Sequence, residues 1–306
     1  MSQKSQTSRR RCLVNQAELT HYARGHIIAD VAGVRSCRAK MPVRQGNNPQ
    51  IKEKRVAKLR ENKAKHKLER GEIVTVLSGL NSPNMVDFLG QFGFDAVWIE
   101  TEHGPVDFAD IPDITRACDL WEMTSIVRVN QNNHGLIYRT LDVGAQGIVV
   151  PHVNTADEAR AVVDAAKFAP LGTRGITTSR QGYDVPNYVH EANDESLVTI
   201  LIEDIVAVEN LADILTVDHI DCFFVAPGDL AQSMGYLGQA SHPDVMAVID
   251  KALEQITSSG RVAGGLVSDA TVEHFIEKGA LLLFTGWQSW IGVGARGFLD
   301  KVAAAS

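Results

Sequence analysis

Residues 197–204 read LVTILIED and residues 222–229 read CFFVAPGD. Each is a short run, apolar on both faces, that closes on an acid. Strands of that kind belong to a parallel sheet covered by helices on both sides. The closing acids, Glu203 and Asp229, stand 26 residues apart, about one strand–helix repeat. That spacing predicts adjacent parallel strands, roughly 4.8 Å apart, with both acids at the same end.

The same pattern extends in both directions. Upstream lie IVTVLSG (73–79), AVWIETEH (96–103), SIVRV (125–129) and GIVVPHV (147–153); downstream lie VAGGLV (262–267) and LLLFTG (281–286). Between them, segments such as NMVDFLGQFG and TADEARAVVDAAKF carry apolar residues at helical spacing. Eight such units in roughly 235 residues predict an α/β protein, a (β/α)₈ TIM barrel over residues 51–306. A doubly wound open sheet is the alternative, weakened by the lack of GxGxxG after the first strand. Its first strand is preceded by IKEKRVAKLRENKAKHKLERG (51–71), read as one charged helix ended by Gly71.

Residues 1–50 show neither period and are read as a disordered or spurious basic extension. The first 70 residues hold 18 Lys+Arg against 5 Asp+Glu, a balance of +13; the rest hold 12 against 32, a balance of -20. A basic tail on an acidic domain can bind nucleic acid, but this one lacks interleaved aromatics, so a nucleic-acid partner is not expected. Its Ser- and Arg-rich opening also fits an organelle transit segment, and Met41 offers an alternative start. Four scattered cysteines, Cys12, Cys37, Cys118 and Cys222, form no CxxC pair and point to a reducing, cytoplasmic setting. No apolar run approaches the roughly 20 residues of a membrane helix.

Polar residues that interrupt the apolar strands mark the chemistry, because barrel active sites are built at strand C-termini. Two close carboxylates repel unless a proton or cation lies between them. Glu203 and Asp229 therefore suit a hard divalent ion such as Mg²⁺ or Mn²⁺. Helix capping is the plainer role for Asp229. Arg128 in an apolar strand requires an anion, either a substrate oxygen or a structural acid such as Glu100. His103, with Glu100 three residues back, is a candidate general base. Gly228 and Asp229 open a helix whose N–H groups can receive a carboxylate. The long connection between Lys167 and Ser196 is read as lying on the active rim. His134, His152, His190 and His219 lack such company and are read as ordinary.

WIETEHGP (98–105), LDVGAQGIVVPHVNTADEA (141–159), APLGTRG (169–175), IED with AVENL (202–211), FVAPGDLAQSMG (224–235) and HPDV (242–245), in this order, resemble the HpcH/HpaI aldolase family of metal-dependent class II pyruvate aldolases. The resemblance covers about residues 70–300. It implies Glu203 and Asp229 as metal ligands, with Mg²⁺, Mn²⁺ or Co²⁺ as the ion. It implies Arg128 as the enolate-binding arginine and His103 as the base, backed by Glu100. The implied reaction is cleavage of a 4-hydroxy-2-oxo acid to pyruvate and an aldehyde, with oxaloacetate-type decarboxylation as the alternative. Arg174 and its loop would help close over the substrate's far end. It also implies a homo-oligomer, a hexamer or trimer with exchanged C-terminal helices. Two positions depart from the family pattern: Glu100 stands where an aspartate is usual, and Leu201 where glutamine is common.

Overall fold

The computed structural model describes residues 57–306; the expectations placed on residues 1–50, and the first residues of the expected leading helix, lie outside them. Eight parallel strands close on themselves in chain order, β1 (Val74–Ser78), β2 (Ala96–Glu100), β3 (Thr124–Arg128), β4 (Gly147–Val150), β5 (Leu197–Ile202), β6 (Cys222–Val225), β7 (Ala263–Leu266) and β8 (Ala280–Gly286). β8 returns to pair with β1, from Val74↔Leu282 to Ser78↔Gly286. Helices α1 (Lys63–Glu69), α2 (Pro83–Gly90), α3 (Ile111–Leu120), α4 (His134–Asp142), α5 (Ala156–Ala166), α6 (Tyr188–Glu195), α7 (Ile205–Glu209), α8 (Leu211–Ile214), α9 (Pro227–Ser233), α10 (Pro243–Ser258), α11 (Val272–Glu277) and α12 (Gln288–Ala305) complete the chain. The expected (β/α)₈ barrel is the observed architecture.

The barrel interior is a packed layer rather than a pore. Val76, Trp98, Ile126, Val149, Leu201, Phe224 and Leu282 meet inside it, and the Trp98 ring packs on Phe224 and Phe284 at 5.3 and 4.5 Å. Leu201 is one of this layer. α1 plugs the N-terminal mouth with Ala64 and Leu68, which join the same cluster. The expected 51–71 helix is shorter among the described residues, because Asn62 starts it. The Asn62 side chain accepts from Lys65 N at 3.1 Å, a strong N-cap. Its amide donates to Gln146 O and Glu195 O at 2.9 Å, which fixes residues 57–62 as a non-helical strap. A second cluster, from Val129 and Ile148 to Phe223 and Ile249, fills the space between strands and outer helices.

The long 167–196 connection corrects an expectation. It follows α5, not β4, so it carries the chain back to the start of β5. That places it at the N-terminal mouth, opposite the strand C-termini. It also contains a 3₁₀ turn (Arg180–Gly182) and α6. Phe168 and Tyr188 pack edge to face at 6.1 Å, and the Asn193 side chain bonds both N and O of Phe168.

Candidate active site

β2 and β3 pair in register, Glu100↔Arg128, so a carboxylate and a guanidinium emerge side by side. Arg128 donates through Nε to Glu100 Oε2 at 2.8 Å and through Nη2 at 2.6 Å. Its Nη1 lies 3.0 Å from Glu102 Oε2. The other Glu100 oxygen accepts the backbone N–H groups of Glu102 and His103 at 2.8 and 3.0 Å. Burial alone would raise the Glu100 pKa. Arg128 and those two N–H groups outweigh it and hold the carboxyl below its ordinary value. The turn can close this tightly because residue 104 is glycine; a Cβ there would stand 2.9 Å from Glu100 O.

Glu100 is therefore the anchor of the 101–104 turn and of Arg128. It touches the His103 backbone, not its ring, which corrects the expectation of a Glu100–His103 dyad. The His103 side chain is 67% exposed, and its Nε2 lies 3.7 Å from Glu102 Oε2, beyond a hydrogen bond. Glu102, which sequence reasoning passed over, is the carboxylate that faces both Arg128 and His103.

Glu203 follows β5 directly and is only 1% exposed. β5 and β6 pair to their ends, Ile202↔Val225, and Asp229 follows in the first turn of α9. The cap residue of α9 is Ala226, so Asp229 is not its N-cap. Burial, with the Asp229 and Glu102 carboxylates nearby, pushes the Glu203 carboxyl up to about 7, although the His152 N–H and ring pull it down. A carboxylate this hard to ionise is the group a divalent cation would relieve. No cluster of three or more His, Cys, Asp or Glu side chains able to hold a metal forms among the described residues. The donor set is thus two carboxylates, and any ion they hold must complete its shell with waters and substrate oxygens. Gly228, beside Asp229, is exposed, with open space where a Cβ would point.

His152 joins the same rim and was missed in the sequence. Its backbone N–H donates to Glu203 Oε1 at 2.7 Å. Its ring Nδ1 lies 3.1 Å from Asp204 Oδ2 and 3.4 Å from Glu203 Oε1. Partial burial lowers its pKa, but these carboxylates outweigh it and raise the net value. Its φ of 52° is the left-handed conformation, uncommon for a residue other than glycine. The available signal was position. β4 ends at Val150 rather than at the expected 153, which puts His152 in a rim connection like His103.

Arg174 is elsewhere. It donates to Asp142 Oδ1 at 2.8 Å and Tyr188 Oη at 3.1 Å, stacks 4.5 Å over Phe168, and its side chain is 1% exposed. These partners lie at the N-terminal mouth, so Arg174 does not close over the rim of its own barrel.

With the site drawn, similarity gives it a family. The HpcH/HpaI aldolase/citrate lyase model matches residues 74–289. The chain is 37% identical over 213 residues to a 4-hydroxy-2-oxo-heptane-1,7-dioate aldolase of Salmonella heidelberg, covering 68% of this chain and 81% of that one. It is 37% identical over 235 residues to a 2-keto-3-deoxy-L-rhamnonate aldolase of Klebsiella pneumoniae, covering 74% and 88%. Among solved structures, a HpcH/HpaI aldolase/citrate lyase family protein from Burkholderia cenocepacia superposes with a TM-score of 0.75 at 29% identity, covering 79% of this chain and 99% of the other. The chain belongs to the HpcH/HpaI aldolase/citrate lyase family and is a carbon–carbon lyase.

Proposed function

We propose that this lyase is a divalent-metal-dependent pyruvate aldolase, which splits a 4-hydroxy-2-oxo acid into pyruvate and an aldehyde. One observation carries the reading. The buried Glu203, with its pKa near 7 and Asp229 beside it, is a site that lacks positive charge. The two carboxylates fit Mg²⁺, Mn²⁺ or Co²⁺. When bound, such an ion supplies Lewis-acid stabilisation of the enolate oxygen.

The chain's own groups supply the rest. The N–H groups of Gly228 and Asp229 open α9 next to the pair and receive the substrate carboxylate. Arg128 exchanges part of its contact with Glu102 for the 2-oxo oxygen, whose charge grows as the C–C bond breaks. His103 takes the proton of the C4 hydroxyl, directly or through one water. The His152 N–H keeps Glu203 oriented. The test is pyruvate release from 4-hydroxy-2-oxo acids with each metal and then with chelator. Undiminished turnover in excess EDTA refutes the metal role.

The loosely held ring of His103 favours a second reading, oxaloacetate-type decarboxylation. That reaction needs the enolate site but no base at the C4 hydroxyl. His103→Ala separates the two, since it cripples aldol cleavage and largely spares decarboxylation.

A homo-oligomer, a hexamer or trimer, fits this reading. α12 buries none of its residues in its own chain and exposes Ile291, Val293, Phe298 and Leu299. A cleft of about 720 Å³ lined by Leu77, Phe88, Phe92, Trp287 and Trp290 stands open beside it. Apolar surface of this size, unpartnered among the described residues, supports an interface between copies, and light scattering on the full chain tests it. Free, buried Cys118 and Cys222 fit a cytoplasmic setting. No helix among the described residues is long and apolar enough to cross a membrane.

A further inference from the structure

The turn after β2 has a pinned backbone and side chains with freedom to move. Glu100 Oε1 accepts the backbone N–H groups of both Glu102 and His103. Glu100 Oε2 takes Nε and Nη2 of Arg128, and the indole N–H of Trp98 at 3.2 Å. Two parallel donors on one carboxylate fix the plane of a guanidinium, so Arg128 keeps its place through Glu100. Its remaining nitrogen, Nη1, faces a different acid, Glu102, at 3.0 Å.

One oxygen of Glu102 stands between two partners. Oε2 lies 3.0 Å from Arg128 Nη1 and 3.7 Å from His103 Nε2. The second distance is roughly 0.8 Å longer than an ordinary N–H···O hydrogen bond. The exposed His103 ring has no hydrogen bond among the described residues, so rotation about its side-chain bonds can close that gap. The Glu102 side chain is only 10% exposed, and its charge adds to the repulsion felt by the Glu203 carboxyl. A carboxylate so placed costs free energy once it loses its cation. When a substrate oxygen takes Arg128 Nη1, Glu102 is left in that state. Among the described residues, the other basic group beside its carboxylate is the His103 ring.

We propose that Glu102 is a positioning residue that changes partner during turnover: it holds Arg128 Nη1 in the free enzyme, yields that donor to the 2-oxo oxygen of the substrate, and then accepts from His103 Nε2. The proposal rests on the aldolase reading above and gives it an order of events. A ring that donates from Nε2 keeps its lone pair on Nδ1, so the base is oriented only once the oxo acid is in place. In cleavage, Nδ1 takes the C4 hydroxyl proton, directly or through one water. The oxygen's freed pair forms the aldehyde carbonyl, and the C3–C4 pair passes into the enolate. The carboxylate behind the ring stabilises the imidazolium that results.

Two probes of the full-length, Mg²⁺-loaded enzyme test it. Oxalate, a planar mimic of the enolate, is titrated by calorimetry and reports the Arg128 side of the exchange. Pyruvate release from 4-hydroxy-2-oxopentanoate reports the His103 side. Glu102→Gln removes the charge at nearly constant size and should lower kcat about tenfold. Oxalate affinity and KM should stay at the wild-type level or tighten, because Nη1 no longer has to leave an acid. In a His103→Ala background the same substitution should cost nothing further, since Glu102 acts through that ring. The exchange is overturned if Glu102→Gln weakens oxalate binding by as large a factor as it lowers kcat, if kcat does not fall, or if the double variant loses more than His103→Ala alone. In those cases the aldolase reading stands, because wild type still binds oxalate and releases pyruvate. A wild-type enzyme that fails to do either refutes that reading and the exchange with it.

Discussion

Arg128 and Arg174 are both arginines paired with acids, at opposite mouths of one barrel. Arg128 ends β3 with its guanidinium 2.6 to 3.0 Å from two carboxylates and its side chain 14% exposed. Arg174 is sealed among Asp142, Tyr188 and Phe168. The surroundings differ in the same sense. At the N-terminal mouth the cations are matched: Lys65 with Asp221 and Glu69, Arg60 and Arg180 with Asp119, and Lys167 with the carbonyls of Asn193 and Ser196. Burial pushes the Lys167 amine down to about 8. At the C-terminal rim, acids outnumber cations, and one of them is held near neutrality. Matched charges hold a structure together; unmatched charge invites a cation and a substrate. A barrel keeps the two apart because its strands share one direction, so chemistry gathers at one end and stability at the other.

The largest expected effect lies on the rim. Glu203→Gln removes a charge from the acid pair and should cost about 5 kcal/mol of transition-state stabilisation in kcat/KM, with the melting temperature unchanged or raised. A variant that kept near-wild-type turnover would refute the proposed metal-ligand role of Glu203.

Next comes the opposite mouth. Arg174→Met leaves the Asp142 carboxylate without its partner and should lower stability by about 4 kcal/mol in urea titrations. Its kcat and KM should stay close to wild type. A tenfold loss of kcat at unchanged stability would instead show Arg174 reaching a rim, that of another copy in an assembly.

His103→Ala should lower aldol cleavage about 10²–10³-fold and leave decarboxylation nearly intact. Equal losses in both reactions would reassign the base.

The smallest effect separates the mouths by pH. The Glu203 carboxyl titrates near 7 in the fold and near 4.5 unfolded. Its protonated form favours the folded state, so its contribution is full below about pH 4.5 and is lost as pH rises to about 7. The loss amounts to about 3 kcal/mol in the metal-free protein. Added divalent ion should raise the melting temperature more at pH 8 than at pH 5, and Glu203→Gln should flatten the difference. A metal-induced shift independent of pH would contradict this.

The rim was readable where a strand ended on a charge. Glu203, Asp229, Arg128 and His103 each interrupt or follow an apolar run, and strand polarity alone sends them to one end. His152 escaped because GIVVPHV reads as an unbroken strand until the pairing with β5 stops at Val150↔Ile200. Arg174 was misplaced because the 167–196 connection was counted from β4, although α5 intervenes and reverses the chain. Glu100 was given the right neighbours but the wrong atom, since three-residue spacing cannot tell a backbone N–H from an imidazole.

By itself the sequence determined the eight-unit barrel, the polarity of its strands and the acids at their ends. Those follow from apolar periodicity and chain direction, which are local properties. Only the tertiary structure decided which partner each charge meets: Arg128 with Glu100 and Glu102, Glu203 with His152, Arg174 with Asp142. Such pairings depend on register, on where each strand stops and on side-chain reach over a few ångströms. Those are set by how all eight strands pack around Trp98, Leu201 and Phe224.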